Sequence, residues 1–198
     1  MADVPTTPKR AAVQADVLRA TEQLLGEGTS WADLGVEKIA TTAGISRTAF
    51  YFYFRDKREL LMRLTEDVNE LFYLEAERWF SGEGDREEEI REALHKIAEI
   101  YEEHSTLLRA IVEVSTYDDE VATFWRLTIG RFVEATRVTI EREQADGRAP
   151  QYPAAPAAFA LVWAVERLLY QLMVQDLPFS REEGLDALVG VWIRAVYG

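Results

Sequence analysis

In the stretch Ser46–Phe54 the side chains sort by chemistry onto two sides of a helix. Phe50 and Phe54, at i and i+4, belong to an inward face, which leaves Arg47, Thr48, Tyr51 and Phe52 on the outward side. A guanidinium can bond two acceptors of a guanine, and an aromatic edge can meet a thymine methyl. Such groups act on a ligand only if another element holds the helix from behind. Val36, Ile39 and Ala40 give the preceding segment one apolar helical face. Gly44 permits a left-handed reversal, Ile45 plugs the turn, and the Ser46 hydroxyl is placed to cap the second helix. Val36–Leu61 therefore reads as helix, turn, helix and the start of a third, with Ser46–Phe54 as the helix that would enter a DNA major groove.

Net charge argues the other way until it is divided. The 198 residues carry a formal charge of −13. Residues 1–60 hold eight Lys/Arg against eight Asp/Glu, and residues 61–198 hold 14 against 27, so the whole deficit lies outside the candidate DNA module. Within 44–58, Arg47, Arg55, Lys57 and Arg58 stand against one acid, Asp56, giving the local positive patch that phosphate contact needs.

Other chemistries find little support. Without Cys there is no disulfide frame, thiolate metal site or Cys nucleophile. No G-x-S-x-G, P-loop or G-x-G-x-x-G occurs. His95 and His104 are nine apart, not the i, i+4 pair of a helical metal site. The acidic run Glu83–Glu92 reads as a cap and a solvated face. The expectation is a protein that is not an enzyme and uses no cofactor or metal. The first residues lack the apolar core of a secretory signal. The longest apolar run, Ala154–Val165, ends at Glu166-Arg167, short of the roughly 20 residues that span a bilayer. A cytoplasmic location without membrane contact is expected.

The segment GISRTAFYFYFRDKREL at 44–60 resembles the signature of the TetR family of one-component bacterial transcription regulators. The matching pieces are A-G-I-S, an aromatic followed by Tyr, Tyr-Phe, then Lys and Leu in fixed register. The F-Y-F-Y-F version, with W-I-R-A-V-Y-G at the C-terminus, is similar to one branch of that family. The resemblance implies an all-α protein of about nine helices: a helix-turn-helix DNA-binding domain over 7–55 and a ligand-binding and dimerisation domain over 56–198. It implies Arg47 and Thr48 at base edges, Tyr51 and Lys57 on phosphates, Ser46 assisting at the helix start, and Phe52 and Tyr53 near the DNA backbone. Read without the resemblance, a core role is also open for Tyr51 and Phe52, the DNA role standing ahead for Tyr51 and level for Phe52. Gly35 stands where the family usually has Ser or Thr, so a side-chain phosphate contact is missing there.

Capping signals place the remaining helices. Thr7-Pro8 starts one that runs to about Gly26. Asp56 and Glu59 open another to about Phe80, and Asp85 and Glu88 a further one to about His104. A short helix follows near 106–116, then one from Tyr117–Glu120 to about Gln144. A Pro/Gly-rich loop at 145–156 precedes two final helices, about 156–175 and 181–197. Those two hold too many apolar residues for a single buried stripe: Phe159, Leu161, Val162, Val165, Leu168, Leu169 and Leu172, then Leu185, Leu188, Val189, Trp192 and Val196. The family's solution is a four-helix bundle with the symmetry mates. The implied homodimer would read a palindromic DNA operator with half-sites about 34–36 Å apart or a multiple of that.

The family also encloses a small-molecule pocket. Ile90, Leu94, Ile97 and Tyr101 fall at i, +4, +7 and +11, and Trp125, Ile129, Phe132 and Thr136 repeat the spacing. Val162, Val165, Glu166, Leu169 and Tyr170 share a face of the penultimate helix, and Trp192 lies on the last. As a group these would line an apolar, aromatic channel for a hydrophobic or aromatic effector; singly, each could be plain core. Val162 and Val165 replace two pocket Asn residues of the similar branch. Glu166 is either the polar group of the pocket or a partner of a nearby Arg. The competing reading is a helical protein-binding adaptor that keeps the fold without reading DNA, and the basic residues of 46–57 weigh against it.

Overall fold

The computed structural model describes residues 8–82 and 84–198, so the expected Thr7 cap lies outside the described residues. Among the described residues there are nine helices and no strand. They are α1 (Pro8–Gly26), α2 (Val36–Thr42), α3 (Arg47–Tyr53), α4 (Lys57–Ser81), α5 (Arg86–Glu103), α6 (Ser105–Val114), α7 (Asp119–Ala145), α8 (Ala154–Val174) and α9 (Arg181–Tyr197).

The chain forms two compact units. The first takes residues up to Thr65 and adds Thr106–Val121; the second takes Glu66–Ser105 and Ala122–Gly198. A boundary at 55/56 was the expectation. No helix breaker stands between Lys57 and Ser81, so α4 is continuous and contributes its first turns to one unit and the rest to the other.

In the first unit α1 packs on α2 and α3, and α2 on α3. Val17, Leu24, Leu25, Trp31, Leu34, Ile39, Phe50, Phe54, Leu60 and Leu61 form its buried centre. Burial of each such side chain is worth about 1.5–3 kcal/mol. Ile111 and Leu108 of α6 are equally buried. The turn between α2 and α3 reverses at Gly44, whose φ of +71° favours a residue without Cβ.

In the second unit α5 packs on α8 and α9, and α8 on α9. Asp85 caps α5 by accepting from the Glu87 and Glu88 backbone N–H groups. Ser180 and Glu183 make a complete capping box for α9. The loop after α7 is pinned by Gln144, whose amide donates to the carbonyls of Pro150 and Tyr152, each at 2.9 Å. At the same end the fully buried Glu143 accepts from Arg148 Nε at 2.7 Å, with Arg86 Nε 3.4 Å away. The Arg148 hydrogen bonds hold its carboxyl below the usual carboxylate range against the effect of burial.

By length and composition α8 is apolar enough to cross a membrane. It also carries Glu166 and Arg167 at mid-length, and Ala158, Leu161, Val162, Glu166 and Leu169 are buried within the second unit. Its buried face belongs to the core of the second unit, while Phe159 on another face is exposed.

Candidate nucleic-acid interface and apolar cavity

α3 is only seven residues long, too short to be stable alone. Phe50 and Phe54, 0% and 2% exposed, fix it to the first unit, their rings 5.4 Å apart. Ser46 caps it: its Oγ accepts from the Ala49 N–H at 3.1 Å. What the anchoring leaves outside is Arg47, Thr48, Tyr51 and Phe52, with Tyr51 48% and Phe52 72% exposed. The core reading of those two aromatics is therefore excluded in this chain. Arg47 has no ion-pair partner among the described residues, so its guanidinium is available. Tyr53 is half-buried beneath the Arg10 guanidinium, 5.7 Å from the ring centre.

The other basic residues are employed differently from the free patch read in the sequence. Lys57 Nζ donates to the carbonyls of Trp31, at 2.6 Å, and Leu34, at 3.0 Å, and lies 4.8 Å from the Trp31 ring centre. Two of its three ammonium protons thus close the loop before α2, and burial lowers its pKa. Its side chain is a staple first, with one proton left for a phosphate. Arg55 donates to Glu120 at 2.5 Å, and Arg58 donates to Asp56 at 2.8 Å and Asp118 at 3.2 Å. Asp118 comes from the turn after α6 and Glu120 from the first turn of α7, both in the same unit. The charge count over 44–58 missed them because they are sixty residues away in sequence. Glu59 also differs from the simple capping box: its carboxylate accepts from the Arg55 N–H at 2.6 Å, while Asp56 accepts from Glu59 N–H at 2.9 Å. At α2, Gly35 is the N-cap with no side-chain bond.

The second unit contains a cavity with an empty volume of about 750 Å³, part of it open to solvent. Of the eleven expected pocket residues, ten line it: Ile97, Tyr101, Trp125, Ile129, Phe132, Val162, Val165, Glu166, Leu169 and Trp192. Tyr170 does not; the Arg167 guanidinium lies 5.1 Å from its ring centre instead. Ile90, Leu94 and Thr136, which shared the helical spacing, line the cavity as well. The sequence reading missed the α4 wall, made by Asn69, Phe72, Ala76, Trp79 and Phe80. Its signal was available, since Phe72, Ala76 and Trp79 repeat the i, +4, +7 spacing of the α5 and α7 stripes. No Lys, Arg or His lines the space.

Three buried polar groups on the wall have no hydrogen-bond partner among the described residues: the Glu166 carboxylate with both its oxygens, the Tyr101 hydroxyl and Trp192 Nε1. Leaving such a group unpaired costs about 1–3 kcal/mol. Burial pushes the Glu166 carboxyl above its ordinary value, with the Arg167 charge and the Trp125 indole pulling the other way. Neither closes a hydrogen bond: Arg167 Nε stands 3.6 Å from Oε2, and no N–H of Trp125 reaches bonding geometry. Burial likewise pushes the Tyr101 phenol well up.

The geometry of both units agrees with the sequence comparisons. The pattern described as "Bacterial regulatory proteins, tetR family" matches residues 17–64, and "Transcriptional regulator EthR, C-terminal domain" matches residues 90–198, more than half of the chain. The chain belongs to the TetR family. The HTH-type transcriptional regulator EthR of Mycobacterium tuberculosis is 32% identical over 186 residues, covering 92% of this chain and 86% of that protein. The regulator of the same name from Mycolicibacterium smegmatis is 28% identical, covering 90% and 84%. A crystal structure of a Syntrophomonas wolfei protein described as a TetR-family transcriptional regulator superposes with a TM-score of 0.78 at 20% identity, covering 94% of this chain and 96% of that one. This TetR-family regulator is thus EthR-like over both matched segments, with a helix-turn-helix formed by α2 and α3.

Proposed function

We propose that the protein is a transcriptional repressor that binds a palindromic operator as a homodimer and is released by a small hydrophobic effector. The observation that carries the reading is the outward face of α3. Arg47, Thr48, Tyr51 and Phe52 are all exposed on a helix held rigidly by Phe50, Phe54 and the Ser46 cap. Arg47 reads a base edge, Tyr51 and Ser46 meet phosphates, and Phe52 meets a sugar or thymine methyl. Lys57 and Tyr53 support the backbone contact. The cavity is the effector site, and its α4 wall places Phe72 and Trp79 on the same unbroken helix that begins with Lys57. An effector that prefers one arrangement of α4 changes operator affinity by that preference, and about 1–3 kcal/mol corresponds to roughly 5–150-fold.

Support for a dimer comes from apolar groups left uncovered in the single chain. Phe159 of α8 is 58% exposed and Val191 of α9 48% exposed. Pairing α8 and α9 with their symmetry mates covers both, and Phe159→Glu is expected to yield a monomer by analytical ultracentrifugation.

The functional test is a mobility shift with DNA flanking the gene. Specific retardation, weakening steeply with salt, supports the reading. If the protein discriminates no flanking sequence from random DNA, the repressor reading falls and the adaptor reading returns.

A further inference from the structure

We infer that the cavity takes a lipophilic cation: a ligand with a protonated amine at one end and an apolar or aromatic body. The inference rests on the effector-site reading and narrows it. Glu166 is 94% buried by its 6% residual exposure, and its side chain lines the cavity wall with both oxygens unpaired. A carboxylate withdrawn from water is stabilised by an opposite charge that also donates hydrogen bonds. The protein supplies a charge, the Arg167 guanidinium, with its Nε 3.6 Å from Oε2, and no hydrogen bond among the described residues. The closest base, Arg167, is half exposed, lies over Tyr170 and stays outside hydrogen-bond distance. An ammonium in the cavity supplies both the charge and the donors.

The rest of the wall fits the same occupant. Seven aromatic residues line the space: Phe72, Trp79, Phe80, Tyr101, Trp125, Phe132 and Trp192. The faces of such rings attract a cation and their area accepts an apolar body. The absence of Lys, Arg and His from the wall leaves nothing to repel a positive head or to hold a ligand carboxylate. Tyr101 Oη, unpaired beside the same space, can accept from the ammonium or donate to Glu166 once a ligand orders the site. Val162 and Val165 offer no hydrogen bonds, so the unpaired buried donors that the wall leaves a neutral amide or ester are Trp192 Nε1 and the Tyr101 hydroxyl.

The test compares three ligands of one shape: 4-phenylbutylamine, 4-phenylbutan-1-ol and 4-phenylbutyrate, titrated calorimetrically into the full-length protein and into Glu166→Gln. The amine is expected to bind roughly 10- to 100-fold more tightly than the alcohol, the margin of a charge-assisted hydrogen bond. The butyrate is expected to bind weakest. In Glu166→Gln the amine loses its advantage while the alcohol keeps its affinity. Equal or tighter binding of the alcohol by the parent protein overturns the cation assignment and leaves the effector cavity standing. If none of the three binds at millimolar concentration, the cavity reading falls with it. The comparison in the parent protein decides the matter even if the variant fails to fold, which circular dichroism would reveal.

Discussion

Arg47 and Lys57 looked alike in the sequence, two bases beside a recognition helix, and the structure separates them. Arg47 is exposed and uncommitted, so Arg47→Ala is expected to cost about 1–3 kcal/mol of operator binding and to relax specificity at one base pair, measurable by titrating operators mutated one position at a time. Lys57 is tied to two carbonyls, so Lys57→Met should lower thermal stability by about 1–2 kcal/mol while changing the salt dependence of DNA binding by less than one phosphate contact. Arg55 makes the opposite case: it is exposed yet held by Glu120. Glu120→Ala removes its main partner and leaves only Asp56, 3.5 Å from Nε, so non-specific DNA affinity should rise with a log–log salt slope steeper by up to about 1. An unchanged slope would mean that Arg55 never approaches a phosphate. None of this was legible from the window 44–58. A carboxylate sixty residues away enters the count only when the chain has folded.

Among the helices, caps were the most readable feature, because they are local chemistry. Ser46 and Asp85 each accept the backbone N–H groups their positions predict, and within the span 117–120 it is Asp118 that does so. The Phe50/Phe54 pair told the inside of α3 from its outside for the same reason. The α4 wall of the cavity went unread because a 25-residue helix carries two patterns, an N-terminal one serving the first unit and a Phe72–Ala76–Trp79 stripe serving the second. Without a break between them, composition shows no boundary. Gly35 is where a local rule is visibly relaxed. Its φ of −82° and ψ of 147° suit any residue, and an added Cβ meets no atom within 4 Å. Gly35→Ser should therefore stabilise the first unit by about 0.5 kcal/mol through a cap bond and a stiffer unfolded chain. It should also tighten DNA binding by offering a hydroxyl at the start of α2. A melting curve and an operator titration on the same sample check both, and a loss of stability would show that the α2 entry is strained by a side chain.

At the scale of the molecule, ionisable groups pull the pH profile in two directions. Asp56, Asp118, Glu143 and Glu183 are held below their ordinary values, chiefly by hydrogen bonds from Arg side chains or backbone N–H groups. The stability they give is present above their unfolded values and is lost as pH falls through the folded ones. Glu166 has the reverse sign. Its raised pKa gives stability that is complete below its ordinary 4.5 and is lost as pH rises through the folded value. Glu166→Gln removes only that second contribution. Its melting temperature should match the parent near pH 4 and exceed it near pH 7.5; parallel curves would show that burial of Glu166 is not costly. The cavity and the buried Glu166 carboxylate both lower the stability of the second unit. Openings of such a unit are more frequent than its burial elsewhere implies, and proteolysis follows the open population when reclosing is fast. A molecule that fills the space shifts that population by mass action, about 2.7 kcal/mol at a hundredfold excess over its Kd. On the proposed function, the effector would then set the lifetime of the regulator as well as its hold on DNA, and the number of copies present should itself rise with the signal.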